Sequence, residues 1–195
     1  DIPMGDAKLK AFVAYPERKE KAPVVIVIHE IFGLTDWVRG VADQLAADGF
    51  IAVAPDFLSG KGPDGGGTES FEGDKVRDAI RGLSKEEVNQ RIDAALAWAH
   101  QQDAATDKAA TIGFCWGGSQ SFIHAVHNPK LNAAVVYYGS APTDKSELEK
   151  IKAPVLGLYG GDDARITQGV PATTDTMKAL DKTFDPRVYD NAGHG

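Results

Sequence analysis

The run Pro23-Val24-Val25-Ile26-Val27-Ile28 is apolar and mostly β-branched on both of its faces. A strand alternates its side chains between two faces, so a run without alternation must be covered on both, as a central strand of a parallel sheet between helices is. Residues 50–54 form a second buried strand, and further strands are expected at 109–113, 133–138, 154–159 and 187–190. The polar and apolar alternation over 8–15 suits an antiparallel edge strand. Helical spacing appears between these runs. From Asp36, the residues Trp37, Val41, Leu45 and Ala46 share a face, and Gly49 supplies a stop. Ser84 with Glu87 three residues on reads as a capping box, and the helix after it places Val88, Ile92, Ala95, Leu96 and Ala99 together. Helices are also expected at 117–126 and 168–180, with a weaker helical pattern over 69–83. Strands alternating with helices predict an α/β fold: a mainly parallel, doubly wound sheet flanked by helices, with right-handed crossovers. With 195 residues and 43% apolar content, the expectation is one domain over 1–195.

Charge and cysteine usage narrow the partners. A formal net charge of −7 leaves nothing to neutralise a row of phosphates, so nucleic acid is not the expected partner. No apolar stretch approaches the roughly 18 to 20 residues needed to cross a bilayer. The single cysteine, Cys115, rules out an internal disulfide and multi-cysteine zinc signatures. A small molecule is the expected partner, and a monomer or weak dimer in the cytoplasm the expected state. Asp1 in place of Met is compatible with a removed initiator, leader or signal peptide. The last residues, 191–195, read as a loop just after a strand, where further chain is expected to follow.

In doubly wound sheets ligands bind beyond the carboxyl ends of the strands. Four chemically loaded segments fall at those ends: His29-Glu30, Cys115, Asp162-Asp163 and His194. Cys115 sits in Gly113-Phe114-Cys115-Trp116-Gly117-Gly118, between an apolar strand and a helical stretch. A nucleophile on a sharp strand-to-helix turn crowds the residues two positions away against backbone, which suits Gly113 and Gly117. The bland reading of Cys115 is a small buried hydrophobe. A thiol attacks as thiolate and needs a base nearby, and His194 in its Ala-Gly-His-Gly loop is the candidate. The base needs an acceptor on its other nitrogen, which Asp162 or Asp163 can supply. Nucleophile, acid, histidine is the chain order of α/β-hydrolases. His100, His124 and His127 lie on or just after predicted helices and read as structural or solvated. The Gly-, Pro- and Asp-rich stretch over 55–68 reads as a loop, either functional or a solvated, mobile excursion.

The segments His29-Glu30-Ile31-Phe32-Gly33, the Cys115 turn, Tyr159-Gly160-Gly161-Asp162-Asp163-Ala164-Arg165-Ile166 and Ala192-Gly193-His194-Gly195 resemble the signature blocks of the dienelactone hydrolase family. The resemblance runs from about residue 5 to the end. It implies an α/β-hydrolase fold, here without the family's C-terminal helix, and a Cys, Asp, His triad that opens lactone or ester bonds without a cofactor or metal. By this resemblance Cys115 is the nucleophile, His194 the base and Asp163 the acid, since the family's Asp stands three residues before an aliphatic residue, here Ile166. Glu30 resembles the family glutamate that contacts the resting thiol and takes its proton as substrate binds. The oxyanion hole would use the backbone N–H groups of Ile31 and Trp116. The family's arginine shortly after the histidine has no counterpart in this sequence. A second family arginine falls in the helix after the glycine loop, where Arg77 and Arg81 both stand and Arg81 is preferred as the substrate ligand. The expected activity is hydrolysis of a small lactone or ester through a thioester acyl-enzyme. The alternatives are a broader carboxylesterase or thioesterase on the same scaffold, and a non-catalytic small-molecule binding protein of that fold.

Overall fold

A computed structural model describes residues 1–195. The chain groups into two compact units, Asp1–Ala109 and Ala110–Gly195.

The first unit opens with β1 (Ile2–Met4) and β2 (Ala7–Leu9), paired antiparallel, then β3 (Ala11–Ala14), β4 (Ala22–Ile28), α1 (Asp36–Ala47) and β5 (Ile51–Pro55). The alternating stretch expected as one edge strand is broken at Lys10. Its N–H donates to Ser59 Oγ at 2.9 Å and its carbonyl accepts from the Asp56 N–H at 2.8 Å, which turns the backbone out of the hairpin. β3 pairs antiparallel with β5, Phe12 opposite Ala54, and β4 pairs parallel with β5, Val25 opposite Ala52. Helix α1 packs on β3, β4 and β5. After α2 (Lys75–Arg81), helix α3 (Lys85–His100) packs on β1, β4 and β5. Covered in this way, β5 is buried at every position and β4 at all but Pro23, as their uninterrupted apolar sequences require. The helical pattern expected over 69–83 shrinks to α2, because a 3-10 turn at Thr68–Ser70 and the left-handed Gly73 (φ 54°) stop it from starting earlier. At the start of α3, the Glu87 N–H donates to Ser84 Oγ at 3.1 Å. The Glu87 carboxylate turns to Lys61 and Arg91 instead of closing a reciprocal box.

The glycine-rich stretch is no solvated excursion at its root. Asp56, Phe57, Leu58 and Ser59 are buried. Asp56 Oδ1 accepts from the Leu58 N–H at 3.0 Å and from the Thr68 hydroxyl at 2.6 Å, while Oδ2 accepts from the Thr68 N–H at 2.7 Å. Thr68 Oγ1 accepts in turn from the Leu34 N–H at 3.1 Å, so one buried carboxylate ties both ends of the loop to the segment after β4. Gly33 (φ 76°) lies so close to Thr68 that a side chain there would overlap it.

β6 (Ala105–Phe114) leads into the second unit, which continues through α4 (Trp116–His127), β7 (Ala133–Tyr137), α5 (Lys145–Leu148), β8 (Val155–Gly160), α6 (Ala164–Thr167), α7 (Val170–Ala179) and β9 (Phe184–Tyr189). Its four strands run parallel in the order β6-β7-β8-β9, with Ile112 opposite Val135, Val135 opposite Leu156 and Leu156 opposite Asp185. The helix expected over 168–180 is α7, and the short α6 ahead of it is separated from it by Gln168 and Gly169. Helix α4 packs on β7, α6 on β8 and α7 on β9. Tyr159, Ile166 and Val170 form a buried cluster with Phe184 against it. No helix is long and apolar enough to cross a membrane.

Candidate active site

The turn from β6 into α4 places Cys115 at φ 56°, ψ −114°, a conformation that costs a non-glycine residue about 1–3 kcal/mol and persists where its surroundings enforce it. Two hydrogen bonds hold it: the Cys115 N–H donates to the Tyr137 carbonyl at 3.1 Å, and the Cys115 carbonyl accepts from the Ser119 N–H at 3.2 Å. A Cβ on Gly113 would overlap the Gly117 carbonyl, and one on Gly118 would overlap the Tyr137 carbonyl. The close approach of strand to helix therefore depends on Gly113, as the motif implies, and also on Gly118, whose role follows from the crossing of α4 over the end of β7. Trp116 opens α4, where helical N–H groups point out of the helix end.

Asp163 follows β8 and is 7% exposed. Its own carbonyl accepts from the N–H groups of Ile166 (3.1 Å) and Thr167 (2.9 Å), fixing the start of α6 and leaving the carboxylate to face elsewhere. His194 reaches it from the loop after β9. That loop is bound to the acid loop: the Gly161 N–H donates to Tyr189 O at 2.8 Å and the Asp162 N–H to Ala192 O at 2.9 Å. A side chain on Gly160 would overlap the carbonyls of Ala192 and Gly193. In this arrangement His194 Nδ1–H donates to Asp163 Oδ2 at 2.6 Å, and His194 Nε2 stands 3.0 Å from Cys115 Sγ. The carboxylate is acceptor only, so it sets the tautomer: the proton is on Nδ1 and the Nε2 lone pair faces the sulfur. Asp162, the alternative acid, is exposed and contributes its backbone N–H.

The sequence marks Tyr138 only as the end of a strand. It stands just past β7 at φ 38°, with its ring 4.9 Å from that of His194. Its position between an apolar strand and Gly139-Ser140 is the one signal the sequence offered.

The first unit holds the other expected residues. Glu30 and Ile31 leave the carboxyl end of β4 and are half-buried. His29, just before them, is fully buried. Its Nε2 accepts from the Phe57 N–H at 3.2 Å and its Nδ1–H donates to the Glu30 carbonyl at 2.8 Å, a neutral imidazole bracing the turn. Burial holds its pKa below the usual histidine value, against the upward pull of the Glu30 carbonyl and Asp56. Arg81 extends along α2 with Nη1 3.6 Å from Asp78, both side chains exposed. Arg77 takes another course, its guanidinium 4.9 Å over the ring of Phe32, one residue beyond Ile31. His100 ends α3, and His124 and His127 lie along α4 with rings 5.6 Å apart, as their helical positions implied.

Parallel strands flanked by helices, with a strained strand-to-helix turn and its partner loops at strand ends, define the α/β-hydrolase class. Within that class the chain belongs to the dienelactone hydrolase family, which it matches over residues 9–195, and it is a carboxylic ester hydrolase. It is similar to a Methylorubrum extorquens protein named "Putative carboxymethylenebutenolidase", 36% identical over 99% of this chain and 69% of the relative. A Bradyrhizobium protein named "Probable 2-oxo-3-(5-oxofuran-2-ylidene)propanoate lactonase" is 30% identical over 97% of this chain and 79% of its own length. Among solved structures, a "Putative Dienelactone Hydrolase" from Klebsiella pneumoniae superposes with a TM-score of 0.84 at 30% identity, covering 96% of this chain and 82% of the other.

Proposed function

We propose that this protein, acting as a single domain over 1–195, opens a small lactone or ester by attack of Cys115 through a thioester acyl-enzyme. The observation that carries the proposal is the continuous line Cys115 Sγ, His194 Nε2, His194 Nδ1, Asp163 Oδ2, with links of 3.0 and 2.6 Å. Attack by sulfur on the ester carbonyl gives a tetrahedral oxyanion. Backbone N–H groups of Ile31 and Trp116 are its proposed donors. Collapse breaks the acyl C–O bond, and the His194 imidazolium gives its Nε2 proton to the departing alkoxide. Water then attacks the thioester while Nε2 takes its proton. Collapse of the second intermediate releases the acid, with sulfur leaving as thiolate beside the reformed imidazolium. Asp163 stabilises the imidazolium in both halves, and the first turn of α4 favours negative charge on the sulfur. Glu30 is proposed to take the proton of the resting thiol as substrate enters and to pass it to His194 Nε2, which leaves the thiolate beside the imidazolium.

The lactonase name of the Bradyrhizobium relative, whose stated substrate is a lactone carrying a carboxylate, supports a lactone of that kind as the substrate class. Arg81 is the proposed ligand of that carboxylate. The stacking of Arg77 on Phe32 favours Arg77 as a second reading.

The test is Cys115→Ala with p-nitrophenyl acetate and a dienelactone as substrates. The variant folds and turns over neither, while quenched wild-type enzyme carries one acetyl group on Cys115 by mass spectrometry. Near wild-type turnover by the variant overturns the nucleophile assignment.

A further inference from the structure

A cavity of about 390 Å³ opens beside the acid loop, within the second unit. Small-molecule sites commonly measure roughly 300–1,000 Å³. Its walls come from the segment after Tyr138, the end of α5, α6 and α7, and the more apolar part is formed by Leu148, Ile166 and Val170. Neither Cys115 nor His194 lines it. Two of the polar side chains on its walls, neither bonded within the protein, carry the chemistry of the site.

The first is Tyr159. It is 3% exposed, lies in β8 with its ring over Gly157, and lines the cavity. Its hydroxyl has no hydrogen-bond partner in the protein, although buried tyrosines usually find one. Burial alone raises its pKa, with no hydrogen bond offsetting it, so the phenol is a neutral O–H donor in search of an acceptor. The second is Arg165. It is exposed at the cavity two residues after Asp163, and no carboxylate pairs with it, although the chain is net acidic and arginines elsewhere, such as Arg39, Arg91 and Arg187, pair with neighbouring acids.

A permanent cation, an apolar wall and a hydroxyl donor with no partner in the protein describe one kind of occupant by complementarity. We infer that the cavity binds a small monocarboxylate with an apolar body and a hydrogen-bond acceptor at its other end. The carboxylate pairs with the Arg165 guanidinium, the body lies against Leu148, Ile166 and Val170, and the Tyr159 hydroxyl donates to the far end. The occupant is either a free acid held beside the acid loop or the carboxylate arm of an ester substrate. Binding stands apart from the proposed hydrolytic mechanism and is measured without turnover.

The probe is 4-hydroxyphenylacetate, followed by calorimetry on the full chain. We expect one site in the wild type, at least about tenfold weaker binding in Arg165→Gln, and weaker binding in Tyr159→Phe. That second variant folds as the wild type does, because the hydroxyl it deletes bonds no group of the protein. No binding at millimolar probe overturns the inference, as does binding that neither substitution weakens. Failure of all ester hydrolysis would overturn the mechanism above and leave this result intact. Kinetics separates the two sources. Inhibition of p-nitrophenyl acetate hydrolysis by the probe that disappears in Arg165→Gln identifies a free acid. A KM for mono(4-nitrophenyl) glutarate that rises about tenfold in the same variant, with that for p-nitrophenyl acetate unchanged, identifies a substrate arm.

Discussion

Replacing Asp163 by Asn separates the two carboxylates that stand side by side after β8. His194 Nδ1 and Asp163 Oδ2 are 2.6 Å apart, and the Asp163 side chain is 6% exposed against 27% for His194. When the sulfur is ionised the ring is an imidazolium, and the carboxylate stabilises it. Two unit charges about 4 Å apart at an effective dielectric constant of about 20 interact by about 4 kcal/mol. The partial exposure of His194 brings this down to roughly 3 kcal/mol. At about 1.4 kcal/mol per decade, loss of the charge costs at least about 100-fold in kcat/KM. Asn can also turn its amide N–H₂ toward Nδ1. That places the ring proton on Nε2, where it can no longer accept from the thiol, and raises the loss toward about 10⁴-fold. Asp162→Asn is the control. The exposed side chain is isosteric, and the hydrogen bond from the residue 162 N–H to Ala192 O is kept, so kcat/KM stays within about twofold. The assay is p-nitrophenyl acetate hydrolysis, with thermal unfolding run alongside to show that both variants are folded. A folded Asp163→Asn enzyme within tenfold of wild type, or a larger loss in Asp162→Asn, refutes the reasoning.

Gly113→Ala drives a methyl into the Gly117 carbonyl and lowers stability by about 3 kcal/mol in urea unfolding; a variant as stable as wild type shows that the elbow can relax. Asp56→Asn presents an amide N–H₂ where one of three donors needs an acceptor, so it costs about 2 kcal/mol and speeds hydrogen exchange at the Thr68 amide; unchanged exchange contradicts the anchoring of that loop. His29 has a folded pKa below its unfolded value of 6.5, so the unfolded chain binds the proton more readily. The stability this contributes is complete above the unfolded pKa and is lost as pH falls below it, by up to about 1.4 kcal/mol per pH unit. His29→Asn should flatten that slope in thermal unfolding between about pH 7 and pH 5; an equal slope in both proteins assigns it to other groups.

Much of this architecture was legible in the residues because the relevant signals are local. The apolar runs at β4 and β5 have to be covered on both faces, and helical spacing fills the chain between them. The turn at Cys115, between Gly113 and Gly117 at a strand-to-helix junction, carries its own geometric reason. Signals that depend on distant partners were less visible. The edge strand divides at Lys10 because Ser59 and Asp56 claim its backbone groups, and the glycine loop is anchored by Asp56 to Thr68 and Leu34. Gly118 looks optional until α4 crosses the Tyr137 carbonyl.

The sequence by itself determined the α/β class, the chain order Cys115, Asp163, His194 of the candidate triad, and the family to which the chain belongs, because periodicity and short motifs are properties of contiguous residues. Tertiary structure decided which partners meet. Asp162 and Asp163 are chemically identical neighbours, and only the course of the backbone after β8 buries one against His194 while the other faces solvent. Arg77 and Arg81 occupy one short helix, and only its placement lays one over Phe32 and leaves the other along Asp78. Tyr159 is left without a partner for its hydroxyl only once it packs against Ile166 and Val170. A side chain's type is written in the chain, but its environment is set by residues brought to it from far along that chain.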